Sequence, residues 1–371
     1  MLPYTILLKR FQFWGLYPFP HNKYNSLHFD VVIVRVDAIG DYIIWHDTLK
    51  VYKERFNGKR ILFICADLVC PLAEKEDFFS EIWGFNRKLI LEDRRYMYTF
   101  LKKVASVSAN LVINPLWSRH PIGDVIIKTI YSGKKIGMVG NCCHDLMWRW
   151  YNTYYDELFP NPDTISELKA VEYFTQKGIS PDYKYGHNPI KMTDDNPPIH
   201  TKYIVISISA SDKYRIWSLQ KFSEIINIIP SEYSIVLSGA GEDDLKRAKI
   251  IISHVEHNER IINMVDKTDL SKLISLIGHS SFVIGNDSAA VHIAAATHVP
   301  SVCILVGAHY NRFIPYPPSF PFPQYSPRVV HSGMECFGCN YHCRWPKIDS
   351  YECLNRITVD MVRNEVKKLI R

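Results

Sequence analysis

The sequence predicts an α/β fold made of two Rossmann-like units, each a parallel β-sheet covered by helices. From residue 30 onward, short runs of β-branched residues alternate with stretches of helical periodicity, an order typical of a parallel sheet. This alternation stops within residues 178–200 and then starts again. A chain of 371 residues is also long for a single hydrophobic core. We therefore expect two parallel-sheet domains that face a cleft.

The first of these units is expected over residues 30–177. Nearly continuous apolar runs predict its strands, and these runs are 30–36, 60–65, 88–93, 110–116 and 134–140. A helix is expected over 41–56, where apolar side chains recur at helical spacing. Residues 178–200 are rich in Pro, Asp, Asn and Gly, show no periodicity and are predicted to form a linker.

The second unit is expected over residues 201–308, where the same pattern repeats. Its predicted strands are 203–209, 233–240, 260–265, 281–287 and 300–307, and helices begin near 219, 242, 269 and 288. Residues 309–357 are predicted to form a Pro-rich loop that carries a cysteine cluster. Residues 358–371 are predicted to form an amphipathic helix, with Thr358 as its N-cap.

Composition and charge narrow the class of partner. The formal net charge of +6 suits an anionic small molecule or an anionic membrane surface, and no nucleic-acid motif is present. No window reaches the roughly 18 apolar residues that span a bilayer. The N-terminal arm, residues 1–29, places aromatic residues beside basic ones, which suits either a membrane interface or packing on the protein's own surface. We expect a cytoplasmic protein, and the arm would permit peripheral contact with the inner face of the cytoplasmic membrane.

The nine cysteines fall into three groups. Cys65, Cys70 and Cys303 lie in apolar surroundings, where a thiol acts as a small hydrophobe, and the adjacent Cys142 and Cys143 cannot easily bridge each other. The last group has the spacing C-x2-C-x3-C-x9-C and consists of Cys336, Cys339, Cys343 and Cys353. Four thiolates so spaced fit a structural zinc or iron site, with His342 as a substitute ligand. Reduced cysteines in a loop are the alternative.

The turn after the first predicted strand is RVDAIGDYI, residues 35–43. Gly40 permits a tight backbone there, and Asp41 stands at the start of a helix. Open α/β sheets bind their ligands at the carboxyl ends of strands, so Asp41 is a candidate general base. The alternative is a carboxylate that interacts only with the helix dipole. A single glycine excludes the dinucleotide loop, which requires three.

Three turns of the second unit carry candidate ligand-binding residues. The first offers hydroxyls and cations that suit a pyrophosphate, from Ser209, Ser211, Lys213 and Arg215. The second offers close backbone approach at Gly239 and an acceptor for ribose hydroxyls at Glu242. An ordinary exposed turn explains the second equally well. For the first it is the alternative, and the position of these residues at the carboxyl end of a strand favours a ligand.

The third turn is Asn286, Asp287 and Ser288, which open an alanine-rich helix. A helix N-terminus is a ready anion site, although Ser288 also fits a plain N-cap. His292, one helical turn on, is either a ligand contact or a core histidine. An aspartate beside an anion site would repel the anion unless it binds a neutral, hydroxyl-rich group next to the phosphates. A sugar nucleotide combines those parts.

Five ordered segments resemble the glycosyltransferase family nine enzymes, the heptosyltransferase group. They are VVIVRVDAIGDYIIWHDTLKVYKERF, ISASDKYRIWSLQKFSEII, SGAGEDD, the stretch 265–307 and CLNRITVDMVRNEVKKLI. The resemblance covers the chain from about residue 30 onward. It implies a GT-B fold and inverting sugar transfer that requires no cofactor or divalent metal.

The resemblance also implies site residues and substrates. The residues are Asp41 as general base, Ser211 and Arg215 at the phosphates, Met264 near the nucleobase, and Asp287 and Ser288 at the donor sugar and pyrophosphate. Ala289 stands where the family usually has Gly, and its N–H remains available to the donor. The implied donor is ADP-heptose or another nucleotide-sugar, and the implied acceptor is lipopolysaccharide or another surface glycan. Apart from the resemblance, four basic or aromatic residues of the first unit suit either an anionic glycolipid or ordinary surface and core packing: Arg119, His120, Trp148 and Arg149.

Two alternatives to sugar transfer stay open. The first is a GT-B nucleotide-sugar epimerase, which would need acids and a histidine arranged for elimination. The second is a catalytically silent protein that binds a sugar nucleotide or a partner. The joint presence of Asp41, Arg215 and Asp287 argues against a silent protein.

Overall fold

The computed structural model describes residues 27–140, 146–162, 166–184, 189–190, 192, 198–339 and 341–370. Contacts divide the chain into two compact units, Met1–Tyr185 and Gly186–Arg371. Most of the N-terminal arm, both Cys142 and Cys143, and much of the predicted linker lie outside the described residues. Each unit contains one six-stranded parallel sheet with helices between its strands, which confirms the predicted fold class.

The first sheet has the strand order β3-β2-β1-β4-β5-β6, and all neighbours are parallel. Its strands are β1 (Leu27–Arg35), β2 (Ile61–Ala66), β3 (Glu81–Phe85), β4 (Val107–Asn114), β5 (Tyr131–Met138) and β6 (Glu157–Phe159). The described helices of this unit are α1 (Ile39–His46), α2 (Leu49–Arg55), α3 (Cys70–Ala73), α4 (Leu89–Glu92), α5 (Arg94–Val104), α6 (Pro121–Thr129), α7 (Leu146–Asn152) and α8 (Glu167–Gly178).

The second sheet has the order β12-β11-β10-β7-β8-β9, again with parallel neighbours. Its strands are β7 (Tyr203–Ser207), β8 (Ser234–Ser238), β9 (Ile261–Asn263), β10 (Val283–Asn286), β11 (Ser301–Ile304) and β12 (Arg328–Val330). The helices are α9 (Leu219–Ile228), α10 (Glu242–Ser253), α11 (Leu270–Gly278), α12 (Ala289–Ala296), α13 (Glu352–Asn355) and α14 (Val359–Lys367).

The strand order reverses once in each sheet, between β1 and β4 and between β7 and β10. At such a switch point the connections leave toward opposite faces of the sheet, so a crevice opens at the carboxyl ends of the central strands. The residues that follow β1, β7 and β10 are therefore the ones placed to meet a ligand.

Burial explains why the strands are readable in the sequence. All six residues of β2 are buried, because helices cover both faces of a parallel sheet and leave no polar alternation. Cys65 and Cys303 are fully buried within these strands, as predicted. Thr358 caps α14, since its Oγ1 accepts a hydrogen bond from the Met361 N–H at 3.3 Å. Among the described residues, none of the helices has the length and apolar character to cross a membrane.

Two predicted elements are wrong. Residues 88–93 form the short helix α4 instead of a strand, because the Asn86 side chain accepts hydrogen bonds from the Lys88 and Leu89 N–H groups at 3.0 and 2.9 Å and starts a helical turn. The strand of that region is β3, just before it. The helix predicted over 41–56 is broken into α1 and α2, with Thr48 Oγ1 bonded to the Trp45 carbonyl at 2.7 Å. A threonine hydroxyl that binds its own backbone competes with helix continuation.

Candidate functional site

Both candidate constellations lie at carboxyl ends of strands beside the switch points. In the first unit β1 ends at Arg35, and Asp37 and Asp41 follow in the turn and the first turn of α1. In the second unit Arg215 follows β7 and Asp287 follows β10. The two constellations belong to different units and are described separately.

The Asp41 carboxylate is oriented by the backbone at the start of α1. Its Oδ2 accepts a hydrogen bond from the Ala38 N–H at 3.2 Å, and its backbone carbonyl accepts one from Arg35 Nη2 at 3.2 Å. Arg35 is buried, pairs with Asp37 and lies 5.0 Å from the centre of the Trp45 ring. This packing fixes the turn, so the carboxylate is held in place before any substrate arrives.

The surroundings raise the pKa of Asp41 to about 7. Burial is the largest cause, followed by the negative charges of Asp37 and Glu167, while Arg35 and the Ala38 N–H act in the opposite direction. By surface area Asp41 is only half-buried, so its carboxylate still has contact with solvent. A carboxylate that titrates near neutrality is suited to accept a proton at physiological pH.

Sequence analysis missed two of the acids that act on Asp41. Asp37 lies in the same turn as Asp41, so its position after β1 could have been recognised from the sequence. Glu167 is the buried first residue of α8, and its Oε1 accepts a hydrogen bond from the Ser118 hydroxyl. No local pattern connects it with β1. The predicted Gly40 is the second residue of α1 and has helical backbone.

Arg119 belongs to the core of the first unit and not to an acceptor surface. Its Nη2 lies 2.8 Å from Asp124 Oδ1, and both side chains are fully buried. Its Nη1 donates to the Met138 carbonyl and to Asn152 Oδ1 at 3.1 and 2.7 Å. His120 caps α6, where its Nδ1 accepts from a backbone N–H at 3.2 Å. Of the two interpretations of these residues, ordinary packing is the one that the structure supports.

Arg215 and Asp287 form the centre of the second constellation. Arg215 Nη2 lies 3.1 Å from Asp287 Oδ2 and donates to the Asp287 backbone carbonyl. Its Nη1 donates to Ser211 Oγ at 2.8 Å. Burial would raise the pKa of Asp287, but the neighbouring His309 and Arg215 outweigh it and hold that pKa well below the usual range. The acid is therefore ionised. It joins Arg215, which follows β7, to His309, which follows β11.

The neighbours of Asp287 have different surroundings. Ser288 is the N-cap of α12, and its buried Oγ has no hydrogen-bond partner among the described residues. Ala289 opens the helix. An unpaired hydroxyl beside the N–H groups of a helix N-terminus suits a phosphate oxygen. Asn286 is fully buried, accepts a hydrogen bond from the Trp217 N–H at 3.0 Å and donates toward two carbonyls after β7, so its carboxamide joins β10 to β7.

His292 lies inside the second unit. It is buried, its Nδ1 lies 2.7 Å from the Tyr316 hydroxyl, and the two rings are stacked with centroids 5.8 Å apart. Burial lowers the pKa of His292 to about 4, so the ring is neutral. Of its two predicted roles, the core histidine is the one that the structure supports.

Asp244, which sequence analysis passed over, organises the loop after β8. Its Oδ2 accepts hydrogen bonds from the Ser209 hydroxyl and from the Ala240 N–H at 3.0 Å, and its Oδ1 pairs with Arg247 at 2.5 Å. A Cβ on Gly239 would lie 2.9 Å from the Asp244 carboxylate. Gly239 and Ser209 are thus explained by the close approach of Asp244.

Three further predicted donor residues lie after β7, β8 and β9. Lys213 is exposed, and its Nζ lies 4.9 Å from the centre of the Tyr214 ring. Glu242 is exposed in the first turn of α10. Met264 is half-buried, and its N–H donates to the Leu237 carbonyl at 3.0 Å. Their placement is compatible with a ligand but does not select one.

The four clustered cysteines line one small cavity of the second unit, together with residues that include Trp345 and Tyr351. The Sγ of Cys353 accepts a hydrogen bond from the Gly307 N–H at 3.4 Å. Burial raises the pKa of Cys339 and of Cys353. Over the part of the chain that the structure describes, however, no group of three or more His, Cys, Asp or Glu residues is placed so as to hold a metal ion.

Comparison with known proteins gives a consistent result. The family model "Glycosyltransferase family 9 (heptosyltransferase)" matches residues 125–335. Lipopolysaccharide heptosyltransferase 3 of Escherichia coli K12 is 35% identical over 287 residues, which is 74% of this chain and 81% of that protein.

Solved structures agree at the level of the fold. E. coli heptosyltransferase WaaC with ADP-2-deoxy-2-fluoro heptose superposes with a TM-score of 0.67 at 14% identity and covers 92% of this chain and 99% of its own. The dodecameric iron-containing heptosyltransferase TibC, in complex with ADP-D-β-D-heptose, gives a TM-score of 0.53 at 14% identity and covers 93% of this chain and 76% of its own. The family resemblance and the GT-B fold class are confirmed: this chain belongs to glycosyltransferase family 9, the heptosyltransferases, and is a glycosyltransferase.

Proposed function

We propose that this chain transfers a heptose, or a related hexose, from ADP-heptose or another nucleotide-sugar to a hydroxyl of lipopolysaccharide or another surface glycan. The observation that carries the proposal is the Arg215–Asp287 pair. Next to it, at the N-terminus of α12, the Ser288 hydroxyl has no hydrogen-bond partner within the described part of the chain. A guanidinium and a helix N-terminus suit a pyrophosphate, whereas a carboxylate suits sugar hydroxyls. A sugar nucleotide presents both groups.

Asp41 is the proposed general base. It would take the proton of the acceptor hydroxyl as that oxygen attacks the anomeric carbon from the face opposite the leaving nucleotide, so the configuration at that carbon inverts. A pKa of about 7 matches this task, because the base is then both ionised and a useful proton acceptor near neutral pH. Arg215 and the N-terminus of α12 would stabilise the charge of the departing diphosphate, and no divalent metal or other cofactor is then required.

Membership in a glycosyltransferase family favours transfer over the epimerase alternative. The silent-protein alternative is disfavoured by Asp41, since a structural carboxylate gains nothing from a pKa near neutrality. We place the reaction in the cytoplasm, at the inner face of the cytoplasmic membrane, with the N-terminal arm as a candidate contact. Separation of cell lysate into cytosol and membranes, with and without residues 1–26, tests that location.

The direct test is an assay with a panel of ADP-, GDP- and UDP-sugars and a lipopolysaccharide core that lacks its outer sugars. We expect release of ADP from ADP-heptose, an acceptor heavier by one heptose, and the same rate in EDTA. Conversion of the donor sugar without any acceptor would instead favour epimerisation. Binding of ADP-heptose without any reaction would favour the silent protein. Loss of activity in EDTA that added Mg²⁺ or Mn²⁺ restores would contradict metal-independent catalysis.

A structural zinc or iron site at the cysteine cluster stays a prediction of the C-x2-C-x3-C-x9-C spacing. The thiols line one cavity, and TibC, an iron-containing relative in fold, makes iron worth measuring beside zinc. Elemental analysis of protein purified without oxygen tests it. About one metal ion per chain, lost in the Cys339→Ser variant but kept in the Cys65→Ser variant, would support the site. Absence of both metals from the unmodified protein would exclude it.

A further inference from the structure

A buried hydrogen-bond chain links Asp287 to the cysteine-bearing loop. His309, the last residue of a short turn after β11, has Nδ1 at 2.5 Å from Asp287 Oδ2 and Nε2 at 2.8 Å from the Tyr341 hydroxyl. Tyr341 stands between Cys339 and Cys343. The chain therefore runs from that loop, through one imidazole, to the acid assigned to the donor sugar.

The chemistry of the three groups fixes the direction of the two hydrogen bonds. Asp287 is ionised and can only accept, so Nδ1 of His309 carries the hydrogen. Burial lowers the pKa of His309, so its ring is neutral and Nε2 accepts the Tyr341 O–H. A neutral imidazole in this tautomer satisfies both Asp287 and Tyr341, and Arg215 Nη2, which lies 3.4 Å from Nδ1, donates to Asp287 instead.

The backbone of Tyr341 supports a functional position. Its φ is +67°, in the left-handed region that glycine favours and that strains a bulky residue. The ring packs edge-on against His309 with centroids 5.1 Å apart and tilted against Tyr351 at 5.6 Å. The surrounding loop thus holds a strained residue at the one place where its hydroxyl reaches the imidazole.

The contacts of Asp287 leave one oxygen for a ligand. Among the described residues, the side-chain bonds from His309 and Arg215 both go to Oδ2, so Oδ1 stays available to a sugar hydroxyl. The charged or titratable groups that act on or around this carboxylate are Arg215, His309, His292, Tyr341 and Cys303. Of these, His309 makes the shortest contact with the carboxylate, at Oδ2.

We propose that His309 and Tyr341 are positioning residues for the donor sugar: Tyr341 fixes the ring of His309, and His309 fixes the carboxylate of Asp287. This inference rests on the proposed function and deepens it, because it makes the cysteine-bearing loop a part of the donor site. It predicts a selective effect. Binding of the sugar part depends on the chain of hydrogen bonds, whereas binding of ADP depends on Arg215 and the N-terminus of α12.

The experiment measures two dissociation constants by calorimetry, for ADP and for the non-reacting ADP-2-deoxy-2-fluoro heptose. The variants at position 309 test the two imidazole nitrogens of His309 separately. In His309→Asn the amide can replace Nδ1 but not Nε2, and in His309→Gln it can replace Nε2 but not Nδ1. Tyr341→Phe removes only the hydroxyl. The matched control is Tyr203→Phe, which removes a buried hydroxyl bonded to the Leu276 carbonyl at 2.8 Å in the same unit.

We expect His309→Gln to bind the analogue roughly 10- to 100-fold more weakly, the size of a lost hydrogen bond to a charged group. Tyr341→Phe and His309→Asn should each lose roughly 3- to 10-fold, and the double variant should lose no more than either alone. ADP should bind every variant within about 3-fold of the unmodified protein. His309→Gln should also move the acid limb of analogue binding to higher pH, because Asp287 loses the partner that keeps its pKa low.

The outcomes separate this inference from the proposed function. If the unmodified protein binds neither ligand, the proposed function fails and the inference with it. If the unmodified protein binds both ligands and the variants bind the analogue equally well, the inference alone fails. Equal weakening of ADP and analogue would also overturn it, since that result indicates general damage to the unit. The Tyr203→Phe control should behave as the unmodified protein does.

Discussion

The Glu167→Gln substitution should shift the pH at which Asp41 becomes active. Asp41 has a pKa of about 7 that is raised by burial, Asp37 and Glu167. At pH 6 about a tenth of these carboxylates are ionised, so kcat/KM for the acceptor should be about tenfold below its plateau. Neutralising Glu167 removes one of the two charges that oppose ionisation of Asp41. The pKa of the base then falls, and the acid limb of the rate profile moves to lower pH by on the order of 1 unit.

The assay follows kcat/KM for the acceptor from pH 5 to 9, because this quantity reports the pKa of the base before the acceptor binds. Glutamine keeps the shape of Glu167 and can still accept the Ser118 hydrogen bond. The control is Glu157→Gln, which removes a half-exposed carboxylate paired with Lys134 at 2.6 Å in the same unit. That control should leave the limb where it was. An acid limb near pH 4 in the unmodified protein, or an unchanged limb in Glu167→Gln, would refute the reasoning.

Two further predictions concern the charge pairs of the two units. Asp124→Ala removes the carboxylate that neutralises the buried Arg119 guanidinium and should cost about 3–5 kcal/mol of unfolding free energy. Glu81→Ala, at an exposed pair, should cost less than about 1 kcal/mol, and equal losses in guanidinium titrations would contradict this. Arg215→Lys should weaken ADP binding by about tenfold or more, because an ammonium cannot bond Ser211 and a diphosphate as a fork does. Unchanged calorimetric affinity would count against that role.

The elements that could be predicted from the sequence are those whose burial produces a local pattern of apolar residues. β2 is buried along its length and appears in the sequence as one apolar run. The helix that begins at Leu219 is indicated by its N-cap Ser218, whose hydroxyl accepts a hydrogen bond from the Lys221 N–H at 3.5 Å. Residues 88–93 were wrongly predicted as a strand, because an apolar run of strand length also fits a short helix. There the capping side chain of Asn86 decides, and caps are weaker signals than runs of apolar residues.

The candidate site could be predicted only in part for a related reason. Asp41 and Asp287 follow strands, so topology alone brings attention to them. His309 follows β11 in the same way and could have been found by that rule. Glu167 and Tyr341 could not, because they reach their partners through tertiary packing from remote segments. The strain at Tyr341 is likewise visible only in the backbone.

We propose that one carboxylate performs proton transfer while the second unit binds the donor, and the Asp41→Asn variant separates these two roles. The measurement pairs kcat with the dissociation constant of ADP-2-deoxy-2-fluoro heptose in the same preparation. We expect kcat to fall about 10²- to 10⁴-fold, while the donor analogue should bind within about threefold of the unmodified protein. Near-normal turnover in Asp41→Asn, or a loss of donor affinity as large as the loss of turnover, would contradict it.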